Sequence, residues 1–401
     1  MFKKCVFFCL LAGLLCAACE PGDGGGWRQV EQEARGSDMV WYMFGNSEAV
    51  NRYVDEFVTP EVYARYGIVI RRVPVNDMSL IVQDLVKQKQ GGNQREGRAD
   101  LLWINGADFH RAREAGALFG PWARDLPNAR LVTWSDASVA NDLGLPVAGY
   151  EAPWGQSAFL LLYDSARVAD PPRSIAALER WVRAHPGRFT YPQPPDPEGS
   201  AFLRQAFYEL AGGPGPWLRS FNEVLYRSRA QAVWSTLRRM EPFLWRRGQS
   251  YPVSARELEQ LYVAGEVDFC FSYNPGQAWR KVAAGLLPGT TRAYCLEQGA
   301  LASTHYVAIP YNAPHKAAAM VVANFLQSPQ AQAQKAQPGG WGDLPVVAPQ
   351  LLQPVQSQVV FAVDSGSTPA AALEGAPRLP EPCPDLAKRL DGDWAKELYR
   401  R

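Results

Sequence analysis

The sequence predicts an α/β protein built as two lobes, and three observations lead there. Its 401 residues exceed what one ordinary hydrophobic core encloses. Short apolar runs alternate with stripes of helical period, the pattern of strands with helices packed on both faces. Between Pro146 and Asp164 two apolar segments flank Pro153-Trp154-Gly155-Gln156, and Pro171-Pro172 follows, as at a crossing between lobes. The composition, 47% apolar and 20% charged, is that of a globular chain. Lys+Arg 41 against Asp+Glu 40 gives no field for a polyanion, so nucleic acid is not expected as a partner.

The N-terminus is a targeting signal. Lys3 and Lys4 precede Cys5 to Leu15, an apolar run too short to span a bilayer comfortably. Leu15-Cys16-Ala17-Ala18-Cys19 resembles a bacterial lipobox, with Cys16 where Leu is usual. That resemblance implies lipidation of Cys19; plain secretion with cleavage after Ala18 is the alternative. Residues 1–18 are thus read as signal and 19–36 as a flexible tether. The mature cysteines are Cys19, Cys270, Cys295 and Cys383. Cys270 and Cys295 lie in expected strands and are the first choice for a disulfide, with buried thiols as the other outcome.

In chain order, Met39–Phe44 reads as a strand, Gly45-Asn46 as a turn and Ser47 as a helix cap. Ile68–Val73 is a strand and Ser79–Lys89 a helix. Leu101–Ile104 is a strand breaking at Asn105-Gly106, with Asp108 placed to cap the next helix. Val147–Glu151 and Ala158–Tyr163 are the outward crossing. Ile175–Ala184 is a helix, Arg188–Tyr191 a strand, and Ser200 caps Ala201–Leu210 after a stiff loop holding Asp196 and Glu198. Ser254 with Glu257 has capping-box spacing. Val267–Tyr273 is a strand, turning at Asn274-Pro275-Gly276. Thr291–Glu297 and Tyr306–Ile309, strands on either side of Gly299–His305, are the return crossing, Ala313–Leu326 is a helix, and Asp385–Tyr399 a last helix. Lobe one is expected over 37–155, lobe two over 156–298, and the return with the C-terminal segment over 299–401.

Four strand ends carry comparable loops, two in each lobe. Ligands of open parallel sheets bind beyond the carboxyl ends of strands, where helix N-termini present free N–H groups. If the lobes face each other, these loops meet in one cleft. Its candidate contacts are Trp41, Gly45, Asn46, Ser47, Asn105, Gly106, Asp108, Trp154, Tyr191, Asp196, Tyr273 and Asn274. Asn offers donor and acceptor together, aromatic rings offer flat faces, and carboxylates neutralise a cation. Trp41 and Trp103 fit core packing as well, and Asp108 fits a plain cap.

ADLLWINGADF, GRFTYPQPPDPEGSAF, GEVDFCFSYNPGQAWRKVAAGLLP and THYVAIPYNAPHKAAAMVVANFLQSPQAQ resemble the extracellular solute-binding proteins of bacterial ABC importers, specifically the YnjB-like branch within the group of thiamine-, polyamine- and iron-binding proteins. The resemblance implies a two-lobed, type II-like periplasmic-binding-protein fold with two hinge-crossing strands. It further implies a small-molecule solute, ABC permease subunits as partners, a periplasmic or cell-surface location, and no cofactor or catalysis. A membrane-surface anchor and a monomer are expected. Aromatic faces beside Asp108, Asp196 and Glu198 favour an organic cation. The alternatives are ferric iron through Tyr191 and Tyr273, or a small anion at the helix N-termini. A more distant alternative is a serine hydrolase. Gly45-Asn46-Ser47-Glu48-Ala49 approaches the G-x-S-x-G elbow, and His305 is its one considered base.

Overall fold

The computed structural model describes residues 25–337, 340–361, 373 and 375–399. The signal segment, Cys19 and the first part of the tether lie outside these residues. The rest of the expected tether is mainly a helix, α1 (Gly25–Ala34). Trp27, Val30 and Ala34 form one apolar stripe on it and pack into the core of lobe one.

Lobe one opens with β1 (Asp38–Phe44), α2 (Glu48–Arg52), α3 (Thr59–Tyr66), β2 (Val69–Val75), α4 (Met78–Gln90), β3 (Leu101–Ile104) and α5 (Ala107–Glu114). β1 pairs in parallel with both β2 and β3, as the alternating pattern predicts. Ser47 caps α2, its Oγ accepting from Val50 N–H at 3.5 Å. The cap of α5 is Gly106, not Asp108, which sits in the first helical turn. Gly106 has φ +60°, where a Cβ would be strained and would also strike Leu143.

α6 (Ala137–Ala140) leads into a small hairpin, β4 (Asn141–Asp142) with β5 (Leu145–Pro146). The crossing strand β6 (Glu151–Ala158) then continues, with a bulge at Trp154, through Pro153-Trp154-Gly155-Gln156, where a break was expected. Pro and Gly are tolerated because β6 is an edge strand: among the described residues no second strand pairs along its outer side, where Gln156 bridges Leu344.

Lobe two holds β7 (Leu160–Asp164), α7 (Ile175–Ala184), α8 (Pro197–Ala211), α9 (Glu223–Met240), α10 (Ala255–Val263), β8 (Phe269–Ser272), α11 (Pro275–Ala283) and β9 (Thr291–Tyr294). Its sheet has the order β8-β7-β9, all antiparallel. Arg188–Tyr191 is not a ladder strand; it makes only isolated bonds, such as Asp268 N–H to Arg188 O at 2.9 Å. Asp196 caps α8 in place of Ser200, which is buried inside that helix. Cys270 and Cys295 are not joined. Cys270 lies on β8 and Cys295 just past β9, with β7 between them. Two strand spacings come to roughly 9.6 Å, beyond the reach of a disulfide at about 7 Å between Cα atoms.

The chain returns through β10 (Ala300–Ala308), α12 (Lys316–Leu326), α13 (Pro329–Ala336), α14 (Pro354–Val360), β11 (Arg378–Pro380) and α15 (Pro384–Trp394). β10 pairs antiparallel with β6 along its length and with β3 at its end, so the two crossing strands lie side by side. Two apolar clusters cover the faces of the lobe-one sheet, and one large cluster fills lobe two. The C-terminal segment does not stay on lobe one. Leu386, Leu390, Trp394 and Leu398 are buried in the lobe-two core, so the chain passes between lobes a third time.

Candidate functional site: an aromatic seam between the lobes

The carboxyl ends of β1 and β3 and the crossing strands meet at a cluster of indoles. Trp103 on β3 lies 5.1 Å from Trp154 on β6, edge to face, and Trp154 lies 4.3 Å from Trp341. Trp41 packs behind Trp154 at 5.3 Å. Trp154 occupies the register shift between His305 and Tyr306 on β10, where the irregular pairing re-aims a side chain. The indole N–H groups of Trp41, Trp103 and Trp154 are buried without a hydrogen-bond partner.

Polar groups rim this cluster. His305 stands 5.2 Å from the Trp103 ring, and its Nε2 is 3.2 Å from Asp343 Oδ2. Asp343 is nearly buried, and its Oδ1 accepts from Asn274 Nδ2 at 2.7 Å. Beneath them Lys335 is fully buried. Its Nζ donates to Trp154 O at 2.7 Å and Gln332 Oε1 at 2.9 Å. Burial pushes the Lys335 amine down to about 7, against the opposing pull of Asp343. Burial also lowers the His305 imidazole; Asp343 opposes that shift and Lys335 adds to it.

Lobe two meets this floor through α11. Asn274 caps it, with Oδ1 accepting from Gln277 N–H at 2.7 Å. Gly276 N–H donates to Gly342 O at 3.1 Å, and Arg280 Nη1 to Gly340 O at 2.7 Å. The Gly340–Leu344 segment is therefore wedged between the lobes. Its close fit to β6 depends on Gly155, where a Cβ would stand 2.7 Å from both Asp343 Oδ2 and the Trp341 ring. Gly155→Val is expected to cost about 1–3 kcal/mol by overpacking against a rigid indole. Urea unfolding measures the loss, and a diminished near-UV circular dichroism signal from the indoles should accompany it.

The structure separates the sequence-derived candidates into two groups. Asn105 and Asn274 border the seam: Asn105 Nδ2 donates to Thr304 O at 2.7 Å, beside His305, and Asn274 reaches Asp343. The Gly45-Asn46-Ser47 turn is committed locally, Gly45 N–H to Val75 O and Ser47 to the α2 cap. Trp41 and Trp154 are core residues of its floor. The others have prior commitments. Tyr191 is fully buried in lobe two, its hydroxyl taking a hydrogen bond from Trp394 Nε1 at 3.1 Å. Asp196 uses both oxygens on backbone N–H groups of Glu198, Gly199 and Ala255. The Tyr273 hydroxyl donates to Glu381 at 2.6 Å and accepts from Arg204 at 3.0 Å. Gly106 N–H is taken by the Asp142 carboxylate. Asp108 lies on α5 at the Asp142 side of this loop.

These assignments remove supports from two sequence-based ligands. The carboxylate of Asp196 is not free for a cation. Tyr191 and Tyr273 serve different packing networks, and among the described residues no group of three or more His, Cys, Asp or Glu is placed to hold a metal ion. Glu198 instead lines a cavity of about 340 Å³ within lobe two, with Glu259 and Lys281. Residues missed from sequence are Lys335, Trp341, Asp343 and Arg280. A Trp between glycines, Gly340-Trp341-Gly342, in otherwise Pro- and Gln-rich chain was the available signal.

Residues 53–358 match the family model described as bacterial extracellular solute-binding protein. The chain belongs to that family. It is 33% identical over 392 residues to protein YnjB of Escherichia coli (strain K12), covering 98% of both chains. Among solved structures, it resembles the spermidine/putrescine ABC transporter substrate-binding protein PotD from Streptococcus pneumoniae strain Canada MDR_19A. The TM-score is 0.63 at 13% identity, covering 90% of this chain and 98% of that one. A periplasmic thiamin binding protein matches with a TM-score of 0.54 at 15% identity, over 90% and 96% of the two chains. At these identities the structural matches establish the fold, two α/β lobes, of this family member.

Proposed function

We propose that this protein is the solute-capturing component of an ABC importer. It holds a small solute in the seam by hinge closure and hands it to membrane permease subunits, without catalysis. The observation that carries the reading is the composite seam. Lobe one contributes Trp103 and Asn105, lobe two contributes Asn274 and Arg280, and the crossing strands form the floor. A rigid-body swing about paired strands opens or closes such a site with little change inside either lobe. The relatives named above for polyamine and thiamin transport support the same role. The chain acts as an exported monomer, cleaved after Ala18 and anchored at the membrane surface through lipid on Cys19.

Small-angle scattering with and without pooled metabolites tests the capture step. Compaction with one pool, together with a change in tryptophan emission, is the expected result. Constant dimensions with every pool would sink the proposal. The mass of the mature N-terminus separates acylated Cys19 from plain cleavage.

A further inference from the structure

The seam draws basic groups from both lobes, and its two arginines stand on opposite lobes. Arg52 ends α2 in lobe one, directly before Tyr53, whose ring lies 5.8 Å from Trp341. Arg280 projects from α11 in lobe two, next to Gly342. A Cβ on that glycine would come within 2.7 Å of the Arg280 Nη1. The side-chain partner of Arg280 is a backbone carbonyl, Gly340 O; among the described residues it pairs with no carboxylate. Arg52 has only Glu48 at 3.9 Å, a contact whose side chains are 51% and 94% exposed. Lys335 and His305 add basic groups below, and Asp343, already held by Asn274, is the acid between them. Both arginines thus border the Trp341-Gly342 segment, Arg280 directly and Arg52 through the adjoining Tyr53; burial and then Arg52 lower the Arg280 guanidinium, and Asp343 opposes them.

We infer that Arg52 and Arg280 form a two-sided clamp for a carboxylate or phosphate group of the captured solute. The solute class is then small organic or phosphorylated anions rather than amines. This rests on the seam being the capture site. Guanidinium forks suit carboxylate and phosphate oxygens, and a half-buried fork held only through a backbone carbonyl gains most from them. The charge also supplies a reason to close. Approach of the lobes brings two like charges together; an anion between them turns repulsion into attraction. The anion thereby binds the closed form better than the open one, which is what drives closure.

The test uses the purified mature chain with two pools, one of carboxylates and sugar phosphates, the other of spermidine, putrescine and thiamine. Desalting and mass spectrometry identify what is retained. The expected result is retention from the anionic pool, reduced at least tenfold in Arg280→Gln and Arg52→Gln, with thermal melting unchanged. Retention from the amine pool alone overturns the clamp and leaves solute capture standing. So does anion retention undiminished in both folded variants. Retention from neither pool, with no compaction in scattering, overturns the capture reading and the clamp with it. If Arg280→Gln fails to fold, Arg52→Gln decides, because it lies on an exposed helix.

Discussion

Trp154→Ala is expected to lower the unfolding free energy by about 3–5 kcal/mol, the range for deleting a buried indole. Trp154 is 1% exposed and lies within 5.3 Å of three other indole rings: Trp41, Trp103 and Trp341. Its backbone is a bulge in the strand pair that joins the lobes, so neighbouring rings cannot slide into the vacated volume without disturbing β10. The loss should fall on lobe one in particular, because Trp154 belongs to that core. Urea unfolding followed by tryptophan emission measures it. A change below about 1 kcal/mol would mean the cluster collapses to fill the space, contrary to this account. The substitution also loosens Trp341, and with it the link from Asp343 to Asn274 in lobe two.

Asp142→Asn is expected to stabilise the protein at neutral and mildly alkaline pH by about 2–4 kcal/mol, at roughly 1.4 kcal/mol per pKa unit. Asp142 is 5% exposed, and burial raises its carboxyl to about 7; the Gly106 N–H opposes this and Asp108 adds to it. Glu151 beside it is fully buried, with both carboxyl oxygens lacking a hydrogen-bond partner. Burial drives Glu151 well above the usual carboxylate range; Asp142 reinforces that shift and Arg113 opposes it. The sign follows from linkage. The folded state holds the Asp142 proton more tightly than the unfolded state. Its contribution is therefore complete below the unfolded value of 3.8 and is lost as pH rises to about 7. Asn keeps the carbonyl oxygen that accepts from Gly106, so the variant removes the titration and preserves the contact. Chemical unfolding at pH 4 and pH 8 distinguishes the outcomes. The gain should be present at pH 8 and nearly absent at pH 4; an equal effect at both would show that charge is not the cause. Lys335 acts on the other side of neutrality. Its amine falls from 10.5 to about 7, so its burial cost is complete below pH 7 and is relieved as pH rises toward 10.5. Taken by themselves, these two groups contribute least to stability near neutral pH.

The order of elements was legible because its signals are local. Ser47, Ser254 and the apolar periods of β1, α4 and α7 each announce themselves within a few residues, and the structure keeps them. Misreadings arose where local chemistry had two uses. Asp196 carries the residue type of a cation ligand and of a helix cap, and the helix took it. Asn274 looked like a turn residue; it caps α11 and also reaches Asp343. The Pro-Trp-Gly-Gln stretch looked like a break because strand rules assume a central strand, whereas β6 is an edge. Trp341, Asp343 and Lys335 were out of reach for a different reason. Their meaning depends on contact with Trp154 and Asn274, far away in sequence, and no periodicity encodes such a contact.

The last helix gives the protein a timetable. Trp394, Leu390 and Leu386 complete the core of a lobe whose other residues are drawn mainly from the middle of the chain. Trp394 also supplies the hydrogen bond to the buried Tyr191 hydroxyl, a contact spanning 203 residues. A ribosome completes lobe two only after it has made α15. Until then that lobe lacks the aromatic that closes over Tyr191 and Tyr251, and its apolar interior stays partly open. Lobe two thus matures late, after its own strands and main helices have been made, and α15 acts as its closing wedge.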